Sequence, residues 1–146
     1  MKLIPVIDQS PTKLPNVYEV AEDVDYGLMH VPQGFQYDGA TLPPFLWPVI
    51  GSPFHPRFMR AALLHDWIYH THELSKAAAD DMLLFLLCQD GVNLFKAKLI
   101  YLGVKLFGQN HWVNTQDDLW YMDTLRHQIE SRGQDPMRYG YPVKPN

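Results

Sequence analysis

Two consecutive runs decide the fold: RAALLHDWIYHT, from Arg60 to Thr71, and LSKAAADDMLLFLL, from Leu74 to Leu87. Apolar residues recur at helical spacing in both runs, which predicts two helices. The connection between them is so short that the helices must be antiparallel neighbours. The pair is unusual because the first run contains a His-Asp doublet and the second contains two consecutive aspartates.

The regions on either side of this hairpin predict an α+β fold. Seven of the twelve prolines fall within the first fifty residues, which excludes long helices there. The segments KLIPVI, VYEVAEDV and GLMHV are typical of short strands, and the Pro-rich stretch after them predicts an ordered loop. From the caps we predict four helices, from Pro56 to about His70, from Ser75 to before Gly91, from Asn93 to Gly108, and from Gln116 to Ser131.

A single domain, 1–146, accommodates these elements, with strands and loop in 1–54, helices in 55–131 and a surface tail in 132–146. We expect the small N-terminal hairpin or sheet and the Pro-rich loop to pack on the antiparallel helical hairpin and one or two further helices. In the third helix, we expect the lysines to lie mostly on a different side from the leucines.

Composition and charge exclude several classes of protein. Twelve basic against sixteen acidic residues give a net charge of −4, which argues against nucleic acid as a partner. No five-residue window is strongly basic, which disfavours an electrostatic membrane anchor. The longest nearly apolar run, MLLFLLC, is too short to be a transmembrane segment.

The single cysteine and the N-terminus indicate where the chain is made. Cys88 has no partner for an intrachain disulfide, and its apolar neighbours predict a buried thiol. The first fifteen residues contain three prolines and lack the continuous apolar stretch of a signal peptide. These features predict synthesis in a cytoplasm.

The His-Asp doublet predicts a polar site between the first two helices. His65 and Tyr69 are four residues apart and share a helix face. His65 lies seven residues before position 72 and Asp80 seven residues after position 73, so the antiparallel turn brings them level. A carboxylate beside an imidazole fixes the tautomer and makes His65 a competent general base. Asp66 points to the side, where it can hold a cation or a backbone amide.

A purely structural interpretation stands beside this one. A histidine on an apolar helix face is usually a core residue with one hydrogen bond, and Asp80 can pair with Lys76 four residues earlier. In this interpretation a structural network includes Asp38, Thr41, Trp67 and Asp81, with Asp38 accepting backbone amides in a turn and Asp81 contacting a loop. Ionisable groups in apolar sequence are nevertheless costly unless they are paired or used, which favours a site.

His70 and His72 lie at the turn between the helices. Residues two apart on a helix face different ways, so these two do not form a zinc site with the His-Asp doublet. We interpret them as part of a solvated loop.

Two sequence blocks resemble an uncharacterised family of tailed bacteriophages and prophages. The first, VPQGFQYDGATLP from Val31 to Pro43, matches the pattern Val-Pro-x-Gly-Phe-x-x-Asp-Gly-Ala-Ser/Thr-x-Pro. The second is AALLHDWIY, from Ala61 to Tyr69, followed by Ala79 and Asp80. The resemblance covers about residues 30–108. It implies a phage-type protein made in the host cytoplasm, with virion association and other phage proteins as partners.

The His-Asp-x-x-Tyr pattern is also similar to the catalytic helix pair of secreted and viral phospholipases A2. That resemblance implies that His65 activates water, that Asp80 orients His65 and that Tyr69 hydrogen-bonds Asp80. It further implies that Asp66 ligates Ca²⁺. Separately from the resemblance, the loop around Asp38 is a candidate for further ligands to a cation. The chain departs from those enzymes in lacking disulfides and their glycine-rich Ca²⁺ loop, and its His-to-Asp separation, 80 − 65 = 15, is shorter.

Two hypotheses of different classes follow. In the first, the site hydrolyses an ester in a lipid or another small molecule, with help from a divalent cation such as Ca²⁺. In the alternative, the chain is a non-enzymatic virion or accessory component, and the same residues form a structural polar network. Accessibility separates them: a catalytic His65 needs an accessible ring nitrogen next to a cavity, whereas a structural one has both nitrogens bonded and buried.

Overall fold

The computed structural model describes residues 3–5, 18–27, 29–37, 48 and 56–141. Backbone contacts divide the chain into two compact units, one of residues 1–38 with 119–146 and one of residues 39–118. Strands lie in the first unit and most of the helices in the second, so the predicted α+β class is confirmed. Most of the predicted Pro-rich loop, with Asp38 and Thr41, lies outside the described residues.

Within residues 56–112, the helical unit contains four helices in succession: α1 (Pro56–Thr71), α2 (Lys76–Gln89), α3 (Leu94–Phe107) and the short α4 (Gln109–Trp112). The first three agree closely with the predicted bounds, whereas α4 was not predicted. Helix α1 packs against α2, and α2 packs against α3. Their facing sides are apolar, with buried residues that include Leu64, Ile68, Leu83, Leu86, Ile100 and Val104.

Local signals explain where these helices begin and end. The Ser75 hydroxyl accepts a hydrogen bond from the Ala78 amide and caps α2. The Asn93 side chain accepts one from the Phe95 amide and caps α3. Between them, Gly91 has a φ of +88°, a left-handed conformation that suits glycine just past a helix end. These caps set the short turns that make the helices neighbours.

The strand-containing unit is built from short pieces: β1 (Leu3–Pro5), β2 (Tyr18–Val20), β3 (Val24–Tyr26), β4 (Met29–Val31) and β5 (Gln36–Tyr37). Strands β1, β2 and β5 form an antiparallel sheet in that order, and β3 pairs with β4 as a hairpin. The predicted strand VYEVAEDV is broken by a bend at residues 21–22, so it supplies β2 and only the first residue of β3.

Helix α5 (Gln116–Ser131) has the bounds that the sequence predicts, and the division between the units falls within its first turn. Its remainder contributes Met122, Leu125 and Ile129 to the buried residues of the strand-containing unit. At its start, the Asp118 carboxylate accepts from the Thr115 amide while the Thr115 hydroxyl accepts from the Asp118 amide. This reciprocal pair is a capping box.

The segment after α5 differs from the surface tail that the sequence predicts. Residues Pro136–Tyr139 form a 3-10 helix, and Tyr139 and Tyr141 are buried. The Tyr139 hydroxyl donates to Asp23, and the Tyr141 hydroxyl donates to the Met122 carbonyl. These aromatic rings hold the segment in place because each buries its apolar body and satisfies its hydroxyl. Residues 142–146 lie outside the described part of the chain.

Cys88 differs from its prediction as well. The buried apolar stripe of α2 consists of Ala79, Leu83, Leu86 and Leu87. Cys88 follows Ala79 by about two and a half helical turns, so it lies on the opposite side of the helix. Cys88 is therefore exposed rather than buried.

Removing the α2 cap should destabilise the helical unit. We expect Ser75→Ala to lower the free energy of unfolding by about 1 kcal/mol, because the Ala78 amide loses its acceptor. Chemical denaturation of the purified variant measures this change. Ser131→Ala is the matched control, since that exposed hydroxyl donates to a carbonyl at the end of α5 and caps no helix start. Equal effects of the two substitutions would contradict the capping role.

Candidate functional site

The site is centred on a carboxylate between α1 and α2. Asp80 on α2 is 2% exposed, and its Oδ1 lies 2.7 Å from Nε2 of His65 on α1, itself 1% exposed. The two residues are brought level by the short turn, at which His72 has a φ of +58°. The structure therefore places the His-Asp pair across the helical hairpin, as the antiparallel arrangement requires.

Tyr69 binds the same carboxylate oxygen. Its hydroxyl donates to Asp80 Oδ1 at 2.6 Å, and its ring centroid lies 4.2 Å from that of His65. The ring of Trp112 on α4 meets Tyr69 edge-on at 5.2 Å between centroids. Burial, and then the hydrogen bond to the Asp80 carboxylate, raise the pKa of Tyr69 well above its ordinary value of 10.0. Tyr69 therefore keeps its proton and acts as a donor.

Lys76 satisfies the second oxygen of Asp80. Its ammonium lies 2.8 Å from Asp80 Oδ2, and it also donates to the carbonyl of Val104 at 3.2 Å. That carbonyl is in the last turn of α3, where the helix dipole is negative and favours a cation. One lysine thus joins the carboxylate on α2 to the C-terminal end of α3. The sequence showed the pairing of Lys76 with Asp80 only as a structural alternative, and it gave no indication of the contact with α3.

Burial and hydrogen bonding oppose each other at Asp80. Burial raises the pKa of its carboxyl, but the hydrogen bonds from His65, Lys76 and Tyr69 outweigh it, so the pKa lies below the ordinary value of 3.8. Asp80 is therefore ionised at neutral pH. An ionised carboxylate only accepts hydrogen bonds, so the proton of the His65–Asp80 contact resides on Nε2 of the histidine.

His65 consequently presents a lone pair at Nδ1. Burial lowers the pKa of His65 below its ordinary value of 6.5, although the hydrogen bond and the charge of Asp80 act in the other direction. The imidazole is therefore neutral at pH 7. Its Nδ1 is buried and has no hydrogen-bond partner among the residues that the structure describes. A buried acceptor without a partner is costly, and such atoms in proteins call for an explanation.

Gly108 lies against the Tyr69 hydroxyl and the end of α3. A Cβ at this position would lie 2.7 Å from the Tyr69 hydroxyl and 2.4 Å from the Val104 carbonyl oxygen. Both separations are shorter than real side chains tolerate, so no larger residue fits without displacing Tyr69 or the end of α3. The sequence predicts Gly108 only as a helix end, because its approach to Tyr69 depends on tertiary packing.

The structure describes three of the other predicted site residues, Asp66, Trp67 and Asp81. Asp66 and Trp67 are buried on α1. Asp81 is exposed and accepts a hydrogen bond from the Tyr101 hydroxyl at 3.0 Å, so its partner is on α3 rather than in a loop. Asp38 and Thr41, the remaining candidates, lie outside the described residues.

The histidines at the turn have other partners. His70 Nδ1 lies 2.9 Å from the carbonyl of Asp66, and His72 Nε2 lies 2.8 Å from the carbonyl of Trp112, on whose ring His72 stacks. Within the described part of the chain, no three His, Cys, Asp or Glu side chains form a group that could hold a metal ion.

With this geometry in hand, comparison with known sequences places the chain in a family. A family model described as "Protein of unknown function (DUF1353)" matches residues 13–104, and the chain belongs to that family. The matched region includes His65, Tyr69, Lys76 and Asp80. No solved structure matches the chain.

Two relatives come from Sinorhizobium fredii (strain NBRC 101917 / NGR234). The "Uncharacterized protein y4jT" is 29% identical over 115 residues, which cover 75% of this chain and 33% of that protein. The "Uncharacterized protein y4iH" is 35% identical over 71 residues, which cover 49% of this chain and 30% of that protein. The chain thus spans about a third of the length of the curated relatives it matches.

The lowered pKa of His65 predicts a loss of stability in mild acid. As the pH falls through 6.5, His65 binds a proton in the unfolded chain but not in the folded chain, so the unfolded state is favoured. The contribution of His65 is complete above pH 6.5 and is lost as the pH falls towards the folded-state pKa, with a slope of at most about 1.4 kcal/mol per pH unit. Chemical denaturation between pH 7.5 and about pH 5 measures it.

His65→Gln tests this assignment. Its amide can still donate to Asp80, but it does not titrate, so the free energy of unfolding should depend less on pH than in the unsubstituted chain. His111→Gln is the matched control, because His111 is exposed and its replacement should leave the slope unchanged. A slope that is the same with and without the His65 imidazole would show that His65 does not titrate differently in the two states.

Lys76→Met should raise the pKa of Asp80. The variant keeps the aliphatic stem and removes the ammonium, so the carboxylate loses one of the three donors that hold its pKa down. We also expect the free energy of unfolding to fall by about 2 kcal/mol, because a buried charge loses its partner. Carbon-13 NMR of the Asp80 carboxyl during a pH titration measures the first effect. Lys98→Met, at an exposed position, is the control, and an unchanged Asp80 titration in Lys76→Met would contradict the ion pair.

Proposed function

We propose that this chain is a hydrolase in which Nδ1 of His65 acts as the general base on an ester. One observation carries the proposal: Nε2 is held by Asp80 while Nδ1 keeps a lone pair for which the described residues provide no partner. This is the arrangement that a general base needs, because one ring nitrogen is oriented by a carboxylate and the other keeps its lone pair.

The neighbouring residues have roles that follow from their contacts. Nδ1 takes a proton from water while the water oxygen attacks the ester carbonyl carbon. It returns that proton to the alcohol oxygen as the ester C–O bond breaks, so that a carboxylic acid and an alcohol are released. The imidazole is positive between the two proton transfers. Asp80 stabilises that charge at 2.7 Å. Tyr69 and Lys76 hold the carboxylate in place. Because the pKa of Tyr69 is raised, its hydroxyl stays protonated and does not accept the proton from water. Since His65 is buried, substrate would reach Nδ1 only after neighbouring residues move.

The substrate class and the source are supported by sequence alone. The His-Asp-x-x-Tyr pattern and the facing aspartate are similar to the catalytic helix pair of phospholipases A2, which supports a phospholipid ester as substrate. The two sequence blocks that resemble a tailed-phage family support a phage-type protein that acts in the host cell or with the virion. A Ca²⁺ ion at Asp66 follows from the resemblance to phospholipases A2, and the loop around Asp38 is a separate candidate for further ligands.

A second candidate function is favoured by a different observation. The ammonium of Lys76 neutralises the Asp80 carboxylate, and both partners of the His-Asp pair are almost inaccessible. A satisfied buried network of this kind can fix the packing of two helices without any chemistry. The chain would then be a non-enzymatic virion or accessory component.

Fatty-acid release from mixed phospholipid vesicles distinguishes the two functions. The purified chain is assayed with Ca²⁺ and with a chelator, beside His65→Gln. We expect release by the unsubstituted chain and a loss of at least roughly a hundredfold in His65→Gln, because glutamine keeps the donor to Asp80 but has no basic nitrogen. The Ca²⁺ and chelator arms show whether the activity needs a cation.

Circular dichroism and thermal unfolding of both proteins serve as the folding control. His111→Gln, at an exposed position, should retain full release. No release by a folded chain would reject the phospholipase-like function, and equal release by His65→Gln would reject His65 as the base. A folded but inactive chain that His65→Gln strongly destabilises would favour the structural network.

A further inference from the structure

The outward side of α3 is unusually apolar for an exposed surface. Phe95 is 71% exposed, Leu106 63%, Leu94 57% and Leu102 49%. Lys98 and Lys105 are exposed on the same helix. The α3 outer face consists of Leu94, Phe95, Lys98, Leu102, Lys105 and Leu106.

Helix geometry makes these residues one continuous surface. Each residue is rotated by 100° from the last, so positions 95, 98, 102 and 106 follow each other along one side. The buried residues Ala97, Ile100 and Val104 lie on the opposite side, towards the rest of the unit. Lys98 and Lys105 do not lie apart from Leu102 and Leu106 as predicted, because all four residues are on the exposed side of α3.

The α3 outer face is also positively charged in an acidic chain. Residues 94–107 include three lysines and no acidic residue, whereas the chain as a whole has a net charge of −4. Asp81 on α2 binds the hydroxyl of Tyr101 at the flank of α3. A five-residue window does not detect this charge, because the two lysines on the face are seven residues apart.

We propose that the α3 outer face binds an anionic phospholipid surface. Basic residues that border exposed Phe and Leu side chains along one helix side are the pattern by which a helix lies on such a surface. The leucines and the phenylalanine enter the headgroup boundary, and the lysines meet lipid phosphates. The proposal does not depend on the chemistry at His65, since a phage component without catalysis would use the same face.

Two other occupants fit the face less well. A second copy of the chain would place lysines against lysines wherever two such faces met in a symmetric dimer, and the face offers no acid to offset them. An acidic protein would satisfy the charges, but a helix of about 21 Å presents a narrow convex strip, whereas a protein partner needs a groove of matching shape. A fluid lipid interface needs no such groove.

Co-sedimentation with vesicles tests the proposal. The full chain is mixed at low ionic strength with vesicles of phosphatidylcholine alone or of phosphatidylcholine with an equal part of phosphatidylglycerol. We expect binding to the anionic vesicles, little binding to the neutral ones, and weakening by salt. Neutralising one lysine near such a surface costs roughly fivefold in affinity, so Lys98→Glu should lower the affinity by at least that factor.

Matched controls isolate the face. Lys96→Glu makes the same change in net charge as Lys98→Glu, but on another side of α3. Phe95→Ser removes an exposed aromatic ring from the face, and its control, Trp120→Ser, removes one from α5. Lys96→Glu and Trp120→Ser should bind vesicles normally, whereas Lys98→Glu and Phe95→Ser should not.

Four results would overturn the proposal. The first is no binding to anionic vesicles by the folded chain, and the second is equal loss in Lys96→Glu and Lys98→Glu. The third is binding of soluble polyglutamate with the same sensitivity to Lys98→Glu but no vesicle binding, which would assign the face to an acidic polypeptide. Sedimentation velocity without vesicles completes the test, because self-association that Phe95→Ser abolishes would assign the face to a second copy.

Discussion

The ionised carboxylate of Asp80 is the constraint on which the helical unit depends. Its two oxygens accept from His65 and Tyr69 on α1 and from Lys76 on α2, and Lys76 continues to the end of α3. An unpaired charge in this position would cost several kcal/mol, so the three donors must be held in place together. The apolar packing of the three helices supplies that rigidity, and the polar cluster fixes their register in return.

The same cluster explains why one nitrogen of His65 differs from the other. The Asp80 carboxylate accepts a hydrogen bond from the protonated Nε2, and burial keeps the ring neutral. Nδ1 is left with a lone pair in a place where unpaired acceptors are rare. This asymmetry is what the proposed hydrolysis uses. In a structural network it would instead be a standing cost, which the charge pair between Lys76 and Asp80 helps to offset.

Much of the helical unit could be predicted because its signals are local. Ser75, Asn93 and Gly91 act within one turn of the chain, and the bounds of α2 and α3 follow from them. The pairing of His65 with Asp80 could also be predicted, since it needs only a short turn and equal spacing on both sides. The role of Lys76 as a bridge to α3 and the fit of Gly108 against Tyr69 could not, because both depend on how the third helix packs.

The backbone of Lys105 is near the site around Asp80, whereas its side chain is on the surface. Its backbone carbonyl lies 3.5 Å from the ammonium of Lys76, while its side chain is exposed on α3. The last turn of α3 therefore contacts the Lys76 ammonium on its inner side and carries an exposed side chain on its outer side. Any displacement of this turn, including one caused from outside the unit, would change the electrostatic potential at His65, because the Lys76 side chain connects the turn to Asp80.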